Sequence, residues 1–381
     1  MARYKFDQIA HYLNEKRMPT EADRETYIGL EHLDSGSLTV TRWGSDVDIK
    51  GQKLVMHKGD ILFGRRNTYL KRAAIAPHDG LFSAHGMIWR PKEDVVDAGF
   101  FPFFVSSDYF MDEAIRISVG SLSPTINWRD LKELEFDLPD IETQRKLSTL
   151  LWAMERAKTA YKNLIAKTDE LVKSQFVEMF GTFPANEHGW PVGTIRDGVN
   201  DVRYGSSRKA AEGNNGQYPY LRMNNITYGG ELDLTDVKTI DIPDDELDKC
   251  SVRRGDVLFN RTNSRELVGK TCVYNRDELM VLAGFVVRVR VNDRLLPEFL
   301  SAFMNADFTK TLLLSMCKAA IGQANINATE FQNIGIYFPP IVHQQEFVQM
   351  KAQADKSKFA AQQALADLTA TQKALMRQVL G

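Results

Sequence analysis

The chain has 381 residues, 43% of them hydrophobic and 26% charged, and 48 Lys and Arg against 50 Asp and Glu leave a formal charge of −2. That length has room for two or three globular domains, and a balance so close to neutral gives no global pull toward nucleic acid, so any such binding has to come from local patches. Three scattered cysteines and seven scattered histidines argue against a disulfide framework or a zinc site, and no apolar run nears the roughly 18 residues of a membrane span. The N-terminus MARYKFDQIAHYL lacks the apolar core of a secretory signal, so a cytoplasmic location without membrane partners is expected.

The first 140 residues mix short β-like runs (KLVMH at 53–57, DILF at 60–63, GMIW at 86–89) with turn signals rich in Gly, Asn and Asp. Between them the basic stretch 64–72 carries Arg65, Arg66, Asn67, Tyr69, Lys71 and Arg72, and a polar stretch at 118–128 carries Ser123 and Asn127. The character then changes. After Pro139 the next proline is Pro184, which makes 141–181 a long helix candidate with apolar residues at Leu147, Leu150, Leu151, Met154, Ala157, Tyr161, Leu164, Ile165, Leu171 and Val172.

β-like segments return from 182 to 340. RMNNITYGG (222–230) offers Arg222, Asn224 and Asn225, an acidic stretch follows at 231–249, and NRTNSRELVGKT (260–271) offers Arg261, Asn263, Ser264, Arg265 and Lys270. A polar stretch at 318–328 carries Gln323 and Asn325. A second proline-free tract, 341–381, is rich in Ala, with Phe347, Met350, Leu368 and Leu375 on its apolar stripe.

The chain repeats itself. GDILFGRRN (59–67) and GDVLFNRTN (255–263) share six of nine residues, and 123–144 aligns with 323–344 through Ile126 and Ile326, Asn127 and Asn327, Pro139 and Pro339, and Gln144 and Gln344. This is a two-fold duplication of a unit of about 190 residues. Two helices of equal length in a duplicated chain favour an antiparallel pair burying both stripes over two separate surface helices.

The duplication also tests for chemistry. NRTNSRELVGKT differs from a phosphate-binding loop only at Ser264, where the first Gly should stand. The first copy has no Gly-Lys-Thr, and TCVYN after Lys270 reads as a strand rather than the helix whose amides would hold phosphates. Methyltransferase, hydrolase and metalloprotease signatures are absent. The Gln-x-Lys triplets at 144–146 and 349–351, which look faintly like nuclease motifs, are expected on a solvated helix face. Gly59-Asp60 and Gly255-Asp256 are expected to form turns.

What the two basic loops share is Arg and Asn, which can pair bidentately with guanine and adenine edges, beside Lys and further Arg suited to phosphates. Charged loops also serve solubility, and the polar stretches before each last strand could equally close turns. The DNA-binding candidates are thus Arg65, Arg66, Asn67, Tyr69, Lys71, Arg72, Ser123 and Asn127 in the first copy. In the second they are Arg222, Asn224, Asn225, Arg261, Asn263, Ser264, Arg265, Lys270, Gln323 and Asn325.

Two divergent domains, each with Gly-Asp-(Ile/Val)-Leu-Phe-x-Arg, a later x-Ile-Asn…Pro…Gln and a 40-residue helix, resemble the specificity subunit of type I restriction-modification systems. The resemblance covers nearly the whole chain. It implies an α+β fold of two pseudo-symmetric target recognition domains (1–140 and 182–340) separated by an antiparallel coiled coil of two spacer helices (141–181 and 341–381). Its implied function is non-catalytic reading of an asymmetric bipartite site in double-stranded DNA, with the helices spacing the readers and docking two methyltransferase subunits. S-adenosylmethionine, ATP and magnesium would sit on those and on restriction subunits, with no cofactor or metal on this chain. A stand-alone nucleic-acid scaffold, or a nucleotide hydrolase using Lys270, are the competing expectations.

Overall fold

The computed structural model describes residues 1–317 and 324–381, which divide into two compact units: residues 1–162 with 362–381, and residues 163–361. In the first unit, four antiparallel strands lie in the order Ala10–Leu13, Gly86–Pro91, Ile61–Gly64, Ala73–Ile75. Every residue of Ile61–Gly64 is buried, because both faces of the sheet are covered. Phe63 and Trp89 join Phe6, Phe104, Phe110 and Phe136 on one face, and Leu62 and Ile88 pack with Leu54 and Phe82 of a smaller sheet on the other. Helices Phe101–Ser106 and Asp108–Arg116 contribute to the aromatic side, and the last strand, Glu135–Leu138, pairs with the first, Ala2–Lys5.

The second unit repeats this plan. Val199–Tyr204, Val286–Val291, Val257–Asn260 and Thr271–Val273 take the same sheet order, helices Pro297–Asn305 and Asp307–Met316 follow, and Gly335–Tyr337 pairs with Val192–Thr194. Its second sheet has four strands, Lys238–Ile240, Tyr218–Leu221, Met280–Leu282 and Ser251–Val252.

The shared Gly-Asp pairs do form turns, with Gly59 and Gly255 at φ of 92° and 91°, where a Cβ is disfavoured. Each aspartate goes further. Asp60 accepts from His57 N at 2.8 Å and Asp256 from Arg253 N at 2.9 Å, and each buried carboxylate also pairs with an arginine of the adjoining strand, Arg90 or Arg290.

The long helices run Ile141–Phe180 and Ile341–Leu380, 40 residues or about 60 Å each. They pack as an antiparallel pair. In the first unit Leu147 and Leu151 of the central helix share a core with Met376 and Leu380 of the C-terminal one; in the second, Phe176 and Phe180 meet Phe347 with ring centres 5.2 and 5.8 Å apart. Of the expected stripe, Met154, Tyr161, Met350, Leu368 and Leu375 are half-buried, but Leu164 and Leu171 are 44% and 56% exposed and do not pair. The seam alternates steps of four and three through Leu147, Leu151, Met154, Lys158, Tyr161, Ile165, Thr168 and Val172, then takes a second step of four to Phe176, so Leu164 and Leu171 fall one residue off it. Residues 200 further on trace the same seam on the C-terminal helix.

The triplet at 144–146 also needs correcting. Lys146 is on the solvated face with Glu142, but Gln144 is buried: its Nε2 donates to the carbonyls of Pro139 (2.8 Å) and Val95 (3.2 Å) and its Oε1 accepts from Asp97 N at 2.8 Å. Gln344 does the same with Pro339, Arg294 and Leu296 N. The glutamine shared by the two copies is the clamp between helix start and sheet.

Candidate nucleic-acid interface

In each unit the basic loop links the two strands on one side of the main sheet: 65–72 between Ile61–Gly64 and Ala73–Ile75, and 261–270 between Val257–Asn260 and Thr271–Val273. The second polar stretch folds onto it. In the first unit Asn67 N donates to Pro124 O at 2.7 Å and Ile126 N donates to Arg65 O at 3.0 Å; in the second, Thr262–Asn263 pairs with Ala324–Asn325 and Ile326 N donates to Arg261 O at 2.9 Å. Two stretches about 60 residues apart in sequence thereby become one surface, anchored by the same Arg carbonyl and Ile amide in both copies. The shared asparagines start the short helices Trp128–Leu131 and Ala328–Gln332, and Asn327 Oδ1 accepts from Thr329 N and Glu330 N, both at 2.9 Å.

The side chains of the first unit divide by what they can reach. Arg66 and Tyr69 are exposed, the former 3.5 Å from Ser123 Oγ, and Asn127 is also exposed; Arg65, Arg72 and Ser123 are half-buried. Asn67 adopts φ of 54° and starts a tight turn, a backbone role that asparagine tolerates. The ammonium of Lys71 is held at 2.7 Å by both Asp108 and Asp112 of the following helix, and its hydrogen bond keeps the Asp108 carboxyl below the usual carboxylate range.

In the second unit Asn224, Arg265 and Asn325 are exposed, and Asn325 Oδ1 accepts from Thr262 Oγ1 at 3.0 Å. Arg222 is half-buried and paired with Asp236 at 2.8 Å. Arg261 lies over the Tyr204 ring, Asn263 Oδ1 accepts from Ser264 N at 2.8 Å, and both Asn263 and Ser264 are half-buried. Gln323 lies outside the described residues.

Two candidates are corrected by burial. Asn225 is 2% exposed, with Oδ1 accepting from Arg222 N and Nδ2 donating to the carbonyls of Asp233 and Asp236, so it holds its own loop together. Lys270 is 7% exposed, donates to Met223 O at 2.9 Å, and burial pushes its pKa down. Nor is its segment a phosphate loop. Gly269 N and Lys270 O are paired with Asn260, and Thr271 begins a strand.

Residues missed in the sequence include Tyr204, whose ring underlies Arg261 while its hydroxyl accepts from Ala328 N at 2.9 Å, and Leu122, 95% exposed at the tip of the first unit's polar stretch. An aromatic residue closing a strand just before Gly205 was the available signal for the first. Among the described residues no group of three His, Cys, Asp or Glu is placed to hold a metal ion, and no helix is long and apolar enough to cross a membrane.

Comparison with known proteins agrees with this architecture. Residues 188–366 match the family described as the type I restriction modification DNA specificity domain. The chain is 24% identical over 314 residues to the EcoKI specificity subunit of Escherichia coli strain K12, covering 76% of this chain and 66% of that one. It is 21% identical over 182 residues to the EcoDI specificity subunit of Escherichia coli, covering 46% and 40%. It thus spans less than two thirds of the length of these curated relatives. In fold it resembles the S subunit of a type I restriction-modification system from M. genitalium (TM-score 0.59, 12% identity, 100% of this chain and 96% of that one). A chain from a study of type I complex assembly and conformational transition gives a TM-score of 0.58 at 18% identity, over 100% and 97%. Residues 188–366 thus match the type I restriction modification DNA specificity domain, and the chain is similar in sequence and in fold to specificity subunits of type I restriction enzymes.

Proposed function

We propose that this chain is the non-catalytic, DNA-reading subunit of a type I restriction-modification complex, with each unit reading one half of a bipartite double-stranded target. The observation that carries the reading is the paired loop surface, built on the same sheet with the same backbone anchors in both copies yet carrying different exposed side chains. Arg66 and Tyr69 on one, and Arg265 and Asn325 on the other, are free to meet base edges or phosphates, as is Asn224 on the turn that Lys270 ties to the second loop through Met223 O. The long helices hold the readers at a set spacing and dock two modification subunits. Those partners would carry S-adenosylmethionine and methylate adenine, and restriction subunits would add ATP and magnesium.

The test is to reconstitute the chain with its modification subunits and map methylated adenines. A two-part motif is expected, with Arg265→Ala and Asn325→Ala each relaxing one half only, by about 10-fold in affinity or more. An unchanged motif, or equal loss in both halves, would count against two independent readers. Lys270→Met is the control. With its ammonium buried it makes no phosphate contact, so the salt dependence of binding should not change.

A further inference from the structure

The seam of the long-helix pair carries two buried lysines, and these are the same place in the two copies; Lys351, also on the seam, is more exposed and pairs with Asp355 of its own helix. Lys158 on the central helix and Lys358 on the C-terminal helix are separated by the repeat offset of 200, and they are 9% and 8% exposed. Each reaches across to the other helix. Lys158 Nζ pairs with Glu155 Oε1 of its own helix and donates across the seam to Gln372 Oε1 at 2.7 Å, while Gln372 Nε2 donates to Glu155 Oε1 at 3.1 Å and closes the network. Lys358 Nζ donates to Asp169 Oδ1 and to Glu231 Oε1, both at 2.7 Å. The lysine is common to the two copies, but its partners are not. Gln372 corresponds to Val172, and Asp169 to Thr369, so each ammonium is satisfied by a different local solution.

A buried ammonium is costly unless it meets its acceptors, and a cation at a seam position typically selects one alignment of two helices at the expense of stability. The alternatives here are specific. Sliding the C-terminal helix by one heptad in one direction sets Lys158 against Leu365 and Lys358 against Lys162; the other direction sets them against Val379 and Phe176. The ends of the pair are also held by the cores they enter, through Leu147, Leu151, Met376 and Leu380 and through Phe176, Phe180 and Phe347. Between those ends the same three-four spacing recurs along both helices, and the two lysines make the contacts that distinguish one alignment from another. We infer that Lys158 and Lys358 are a register lock: positioning residues that fix which residues of the two long helices face each other. Their consequence for DNA rests on the reading above, that the helix pair spaces two readers; the lock itself does not.

The lock is testable without DNA. Spin labels on exposed positions Thr149 and Ala366, in a chain whose three native cysteines are replaced by alanine, are about 15 residues apart along the pair, or roughly 22 Å. A one-heptad slip changes that separation by about 10 Å. The unaltered lysines should give one narrow distance. Lys158→Met with Lys358→Met should keep full helical content but spread the distances over more than one population. Exchanging the partners, Lys158→Gln with Gln372→Lys and Lys358→Asp with Asp169→Lys, should restore the single distance. One narrow distance in the methionine variant, no recovery on exchange, or an unfolded methionine variant would each overturn the lock, the last by showing that the lysines serve stability. A lock that holds in a chain unable to direct a two-part methylation motif would instead count against the functional reading alone.

Discussion

The guanidinium carbon of Arg261 lies 4.7 Å from the centre of the Tyr204 ring, and that same tyrosine accepts a hydrogen bond from Ala328 N. One ring thus supports both the start of the basic loop and the helix that follows the second polar stretch. Tyr204→Leu is expected to cost about 1 kcal/mol through the lost cation–π contact. By loosening both halves of the surface it should also weaken DNA binding by the reconstituted complex at fixed salt. Tyr204→Phe keeps the ring and should fall between the two. Binding by the leucine variant indistinguishable from that of the unaltered protein would show that the ring does not organise the loop.

Much of the architecture was legible because the chain states it twice. The Gly-Asp turns, the paired loops and the two proline-free tracts could each be checked against a duplicate, and a chance resemblance such as Gly269-Lys270-Thr271 failed that check. Individual side chains were not legible. Asn224 and Asn225 are neighbours of one type, as Arg265 and Lys270 are both basic residues of one loop, yet in each pair one is exposed and the other buried. The difference is set by partners at a distance in sequence, Asp233 and Asp236 for Asn225 and Met223 for Lys270. Leu164 was misplaced for another reason. Periods of 3.5 and 3.6 residues drift apart by about 20° per heptad, enough over five heptads to blur which of Leu164 and Ile165 faces the seam.

That difference sets a stability contrast within the helix pair. Phe347 is fully buried against Phe176 and Phe180, and Phe347→Ala should cost about 3–5 kcal/mol as a cavity opens in the second unit's core. Leu164→Ala, at an exposed position, should cost less than about 1 kcal/mol. Chemical denaturation of the two variants measures the gap. Similar losses for both would mean that Leu164 lies on the seam after all.

Lys310 supplies a pH dependence. Its Nζ donates to Gly269 O at 2.7 Å, and burial first, then repulsion from Lys173 and Lys270, lowers its pKa from 10.5 to about 8. The folded chain therefore gives up this proton before the unfolded chain does. Between about pH 8 and 10.5 the unfolded state binds more protons, so this group makes stability rise with pH, by up to about 1.4 kcal/mol per pH unit. Below pH 8 the penalty for the buried charge is constant. Unfolding the unaltered protein beside Lys310→Met at pH 8 and pH 10 isolates the effect, since other titrating groups are common to both. The unaltered protein should gain on the variant as pH rises, and a constant difference would mean that the ammonium is solvated.

The glutamine clamp gives a local rather than a global readout. Gln344 satisfies three backbone groups at the start of the C-terminal helix, Pro339 O, Arg294 O and Leu296 N. Gln344→Leu has the right bulk but leaves all three unpaired in a buried setting, at about 1–3 kcal/mol for each group that water cannot reach. Gln344→Glu can still accept from Leu296 N but, when ionised, can donate to neither carbonyl, so it should rescue only the amide. Hydrogen exchange at Leu296 reads this directly: protection should fall by more than 10-fold in the leucine variant and partly recover in the glutamate variant. If exchange at Leu296 is unchanged in both, the helix start is held by its apolar packing, and the glutamine common to the two copies is a consequence of the duplication rather than a clamp.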